Sequence, residues 1–262
     1  MDLENQLAKG DVAGVILEAV PGNMGCIVPE EGYLSGVLEL CTRYGAVSII
    51  DEVMTGFRLS RGGACEYFNI QPDLVCLGKI VGGGLPLAAF GGRAEIMNHL
   101  SPVGSVYQAG TLSGNPLAVA AGRATLSLLT KDFYEDLNAT AALIEEKLRP
   151  IVEEKGLSFA RVGSMFTIFF RSQPPRSFDE VNMCDRDAFG RFHALAVRMR
   201  TQVEFENAVG GHPRIALLVA GHHGNAPTVI DRGAVRALLA ERRQTQADTL
   251  ATRGFGLART PA

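Results

Sequence analysis

The chain has 262 residues, of which 47% are hydrophobic and 20% charged, with a formal net charge of −3. That is a globular composition with length for one large or two modest domains, and it excludes wholesale disorder. The slightly acidic balance leaves no basic footprint for nucleic acid or for an anionic membrane.

In chain order, Val12–Val20 (VAGVILEAV) reads as a buried strand closed by Pro21-Gly22. From Glu30 to Tyr44 apolar residues fall at 33, 34, 37, 38, 41 and 44, the spacing of a helix packed on one face, with Gly45 placed to end it. Ala46–Ile50 is a second strand, running into Asp51-Glu52, and Asp73–Leu77 and Leu87–Phe90 are two more. Strand, helix and strand with nearly unbroken apolar strands predicts an α/β fold with a mostly parallel sheet covered on both faces. Ligands of such sheets bind at the carboxyl ends of the strands, where this chain places its polar residues. Pro116–Leu129 is alanine-rich and reads as a buried helix. Asp132–Lys155 reads as an amphipathic helix broken or restarted at Pro150, and Arg161–Phe170 as one strand. The expected organisation is 1–130 as the C-terminal part of a large domain, 131–197 as part of a small α+β domain, and 198–262 as an atypical tail.

No apolar run reaches the ~20 residues of a spanning helix, and no signal peptide is visible. The five cysteines (26, 41, 65, 76, 184) are scattered without a C-x-x-C pair, which argues against a disulfide framework or a zinc ribbon and for a reducing cytoplasm. The five histidines show no metal-ligand spacing.

Lysine is scarce: there are 5, against 20 arginines, and Lys79 is the only one between residues 10 and 130. It is the single charge in LVCLGKIVGGGLPLAAFGG. It reads either as a surface lysine at a strand end or as an amine in an apolar pocket, made nucleophilic by a lowered pKa. Asp51 reads as a helix cap or strand-end turn, or as a buried carboxylate awaiting a cation such as a protonated pyridine nitrogen. Together the two point to a pyridoxal phosphate site. Glu18 interrupts an apolar strand just before Pro21-Gly22-Asn23-Met24-Gly25, and is either outward-facing or part of a pocket. Gly110-Thr111-Leu112-Ser113-Gly114-Asn115-Pro116 opens a helix and would suit a phosphate, though a capped helix without ligand looks the same. Cys76 reads as core.

Four segments then match a family in order and spacing: AGVILEAVPGNMGCIVPEEGYL, YGAVSIIDEVMTGFR, YFNIQPDLVCLGKIVGGGLPLAAFGGRAEIM and YQAGTLSGNPLAVAAG. Over residues 10–195 the chain resembles the glutamate-1-semialdehyde 2,1-aminomutases, class III aminotransferase-like enzymes of fold type I. The resemblance implies pyridoxal 5'-phosphate, cycling through its pyridoxamine 5'-phosphate form, as cofactor. It implies that Lys79 binds the cofactor covalently and shuttles protons, that Asp51 holds the ring nitrogen protonated, and that Val53 packs on the ring face. It further implies that Glu18 shapes the pocket and that Thr111 binds the phosphate of the neighbouring subunit in a homodimer. The implied reaction is intramolecular amino transfer from glutamate 1-semialdehyde to give 5-aminolevulinate, a tetrapyrrole precursor. A class III ω-aminotransferase and an inactive fragment are the alternatives. The family's upstream phosphate loop and ring-stacking aromatic residue do not appear in the sequence. From about Val197 the match lapses into 65 residues with 9 Arg and no Lys, which reads as a frameshifted stretch or a divergent tail.

Overall fold

A computed structural model describes residues 3–200; the tail from 201 onward, including the frameshift reading, lies outside the described residues. Helix α1 (Leu3–Leu7) is followed by β1 (Gly14–Glu18), α2 (Tyr33–Tyr44), β2 (Val47–Asp51) and the short α3 (Gly63–Tyr67). Next come β3 (Leu74–Leu77), one 3-10 turn at Lys79–Gly82, β4 (Ala89–Gly92) and α4 (Ala94–Met97). The second half holds α5 (Pro116–Ser127), α6 (Lys131–Glu154), β5 (Ser158–Val162), β6 (Met165–Phe169), α7 (Phe178–Asn182) and α8 (Arg186–Arg200).

The first four strands form one sheet in the order β1-β2-β3-β4, parallel except for the last, which runs antiparallel to β3. The register places Glu18 beside Asp51 and Asp51 beside Cys76. Partners in register share a face, so Ile16, Glu18, Ile49, Asp51, Cys76 and Phe90 project from one side. The opposite side carries Val15, Leu17 and the fully buried Ile50, and there α1 and α2 cover it through Leu7, Val37 and Cys41. Burying a side chain such as Ile50 is worth about 2 kcal/mol. The expected double cover is only half present among the described residues: Ile16 remains 60% exposed and Phe90 44%. Helix α2 ends as its sequence predicts, because Gly45 takes the left-handed conformation (φ 70°) and its amide closes on the Cys41 and Thr42 carbonyls.

The amino ends of the strands are clasped. Asp73 accepts bonds from the Ser48 amide and hydroxyl, both 2.8 Å, and from Arg93 on the far side of β4, also 2.8 Å. Burial pushes the Asp73 carboxyl up, but the bonds from Ser48 and Arg93 outweigh it and hold it below its ordinary value.

Three elements differ from the sequence reading. Helix α6 runs through Pro150 without a break. Proline there removes one amide donor, but Glu145 pairs with both Arg149 and Arg161, and buried Val152 holds the last turn down. The stretch Arg161–Phe170 is not one strand: β5 and β6 form an antiparallel hairpin turning at Gly163-Ser164, with Gly163 at φ 54°. Helix α5 is capped as expected by the Asn115 side chain with Pro116 in its first turn. It is not buried as a whole, however: Leu117 is 70% exposed and Val119 45%, and only the small residues Ala118 and Gly122 are fully buried.

Candidate active site

At the carboxyl ends of β1 and β2 the register sets Glu18 beside Asp51, and Lys79 begins the turn just beyond the end of β3, with adjacent strands about 4.8 Å apart. Asp51 closes β2 with a local turn, its Oδ1 accepting the Val53 amide at 2.8 Å. Its Oδ2 has no hydrogen-bond partner among the described residues, so a half-buried carboxylate oxygen stays available for a cation. The strand-end-turn reading and the cation-acceptor reading therefore describe different oxygens of the same group. Glu18 Oε2 accepts the Gly22 amide at 3.0 Å, which folds the Pro21-Gly22 turn back over the end of β1.

Lys79 follows β3 with Gly78 between and adopts φ 48°, a left-handed conformation that a residue with a Cβ rarely takes. Close packing on α5 holds it there. A Cβ on Gly122 would strike the Val81 carbonyl, and one on Gly83 would lie 2.5 Å from the Ala121 carbonyl, so the lysine turn rests directly on the helix backbone. The small residues that made α5 look like core are its contact with this turn. Lys79 itself is exposed, so the described residues do not close the apolar pocket expected around it. Its apolar flanks, Val81 and Gly82, turn inward while the lysine turns out. Its Nζ donates to the Met54 thioether, Sδ, at 2.7 Å.

Val53 lies against Gly78, where a Cβ would come within 3.2 Å of its Cγ1, so the glycine before the lysine makes room for it. Cys76, beside Asp51, keeps its thiol: burial and then the Asp51 charge push it up from the ordinary cysteine value. Thr111 sits exposed in the turn preceding α5, sequence-distant from the strand ends.

Two residues escaped the sequence reading. Glu52, 2% exposed, points away from the open face and accepts the Ala64 and Cys65 amides, each at 2.8 Å, and the Thr55 hydroxyl at 2.7 Å. It anchors the loop after β2 to the start of α3, and a Cβ on Gly63 would collide with its carboxylate. The signal was a second carboxylate beside Asp51, followed by the glycine pair Gly62-Gly63. Met54 is the other, and nothing in the sequence marks it as the lysine's neighbour. Among the described residues no group of His, Cys, Asp and Glu could hold a metal, and no helix is long and apolar enough to cross a membrane.

The model of the class-III aminotransferases matches residues 1–201. Among curated relatives, the glutamate-1-semialdehyde 2,1-aminomutase of Sorangium cellulosum is 58% identical over 71% of this chain, and that of Nitrosospira multiformis is 53% identical over 71%. The chain spans less than half of their length, 43% and 44%. Among solved structures, a glutamate-1-semialdehyde aminomutase from Pseudomonas aeruginosa in complex with PMP superposes with a TM-score of 0.63 at 31% identity, over 70% of this chain and 43% of that one. An omega-transaminase from Sphaerobacter thermophilus gives 0.60 at 31% identity, over 68% and 42%.

Proposed function

The chain belongs to the class-III aminotransferase family, and from that premise we propose that it carries the lysine and ring-holding carboxylate of a pyridoxal 5'-phosphate enzyme converting glutamate 1-semialdehyde to 5-aminolevulinate by intramolecular amino transfer. The observation that carries this reading is the placement of Asp51 at the carboxyl end of β2 and of Lys79 just beyond the carboxyl end of the adjacent parallel strand β3. The residues present suit the cofactor: Asp51 Oδ2 is unpartnered among the described residues, the Lys79 amine is accessible, and Gly78 lacks the Cβ that would crowd Val53.

When bound, the cofactor supplies an electron sink for the bonds at the substrate's amine-bearing carbon. The protein supplies the rest. Asp51 keeps the proton on the ring nitrogen by offering its free oxygen, while Oδ1 stays tied to the Val53 amide. Val53 packs on one ring face. Lys79 Nζ binds the cofactor and, once released, takes a proton from one substrate carbon and returns it to the next, as a general base and acid. Glu18, fixed by the Gly22 amide, borders the pocket. Thr111 binds the phosphate of a neighbouring subunit's cofactor in a homodimer. Its exposed turn, flanked by Tyr107 (82% exposed) and Leu117, supports that assignment. The division into a large-domain part to residue 130 and a small-domain part to 197 belongs to the same reading, as does a cytoplasmic location.

The test is reconstitution. Wild-type chain with pyridoxal 5'-phosphate should develop a visible absorbance band that Lys79→Ala lacks, and should form 5-aminolevulinate from the semialdehyde. Turnover of an amino donor with a keto acid, without isomerisation, would instead mark an ω-aminotransferase. Identical spectra for wild type and variant would mark an inactive fragment.

A further inference from the structure

Lys79 is an exposed side chain with four rotatable bonds, and among the described residues the Met54 thioether is its sole hydrogen-bond partner. Met54 in turn is wedged. A Cβ on Gly22 would lie 2.8 Å from Met54 Cε and 3.4 Å from Met165 Cε, so the absence of a side chain at Gly22 is what admits the two methionines. The backbone around Met54 is fixed on both sides. The Asp51 carboxylate holds the Val53 amide, Glu52 is locked to α3, and the Gly56 amide closes on the Glu52 carbonyl at 2.7 Å. The thioether is therefore delivered to one place, between the turn that Glu18 folds and the lysine.

We propose that Met54 is a positioning residue for Lys79, holding the free amine over the strand ends; the inference rests on the function proposed above for that lysine. The chemistry suits a group that must be held and then released. Sulfur is a weak, uncharged acceptor, so it orients Nζ in either protonation state and does not lock it as an ammonium ion, as a carboxylate would. It also adds no charge beside the strand ends that already hold the Glu18 and Asp51 carboxylates.

The experiment uses the whole chain labelled with methyl-13C methionine, as wild type, Met54→Leu and Lys79→Ala. Of the seven methionine methyl signals, the one missing in Met54→Leu should change its chemical shift in Lys79→Ala relative to wild type. With pyridoxal 5'-phosphate, the visible band should form several-fold more slowly in Met54→Leu and with a displaced pH profile, and Met54→Gln should restore part of the rate. A purely packing role would change the melting temperature and leave rate and profile untouched. The inference is overturned by a Met54 methyl signal indifferent to Lys79→Ala, or by Met54→Leu matching wild type in rate and profile. If wild type forms no Lys79-dependent band, the functional reading fails, while the methyl signal still decides the contact.

Discussion

The two ends of the parallel strands are built from similar residues to opposite effect. At the amino ends a carboxylate, Asp73, is saturated: both oxygens are engaged, by Ser48 and by Arg93, and the group ties β2, β3 and β4 together. At the carboxyl ends a carboxylate, Asp51, is half satisfied, and a lysine stands nearby in a left-handed conformation with a thioether as its partner. Saturated groups hold strands together, and unsaturated ones are left for a ligand. The comparison teaches that partner count, more than residue type, separates the structural acid from the candidate catalytic one.

The comparison can be broken most severely at Glu52, which gives the reactive end its anchor. Glu52→Ala leaves a buried amide, a part-buried amide and a buried hydroxyl unpaired and should destabilise by about 3 kcal/mol, read by urea denaturation; a loss below about 1 kcal/mol would mean that water takes over those bonds. Gly122→Val should cost about 2 kcal/mol by overpacking. Because the added bulk meets the carbonyl of Val81 in the lysine turn, it should also cut cofactor uptake by Lys79, seen in the visible spectrum. Asp51→Asn should separate the two properties: cofactor binding weakens about tenfold, or about 1.4 kcal/mol, with the melting temperature unchanged. A melting temperature that falls in step with affinity would make Asp51 another structural acid. Asp73→Asn should show the converse, losing about 1 kcal/mol of stability with binding intact. Its pH dependence has a definite sign. The folded-state carboxyl is held below its ordinary value, so its stabilisation is fully present above about pH 4. That contribution disappears as pH falls through the lowered folded value, and the melting curves of wild type and variant should converge there.

Much of the frame was legible in the residues. The helix ending at Gly45, the strand ending at Asp51 and the capped start at Asn115-Pro116 are local events, set by a left-handed glycine, an apolar run and a side-chain cap. Lys79 stood out by its isolation and Asp51 by its place at the end of an apolar run. What escaped depends on contacts between distant segments. Arg161–Phe170 looked like one strand because the partner that turns it into a hairpin, Ser158–Val162, overlaps it in sequence, and Gly163 is the only punctuation. The alanines of α5 suggested core, whereas the small residues let the helix approach the turn after β3 while Leu117 stays outside. Pro150 argued for a break that the ion pairs of Glu145 prevent. Met54 could not be found at all, since its partner lies 25 residues away.

The left-handed backbone at Lys79 has a thermodynamic consequence. An L-residue in that conformation stores about 1 kcal/mol that a glycine would not. Lys79→Gly should therefore melt at a higher temperature than the wild-type chain, and a screen that rewarded durability alone would discard the amine. Under the function proposed for Lys79, a lysine at a position that favours glycine is a place where a weaker fold is exchanged for chemistry.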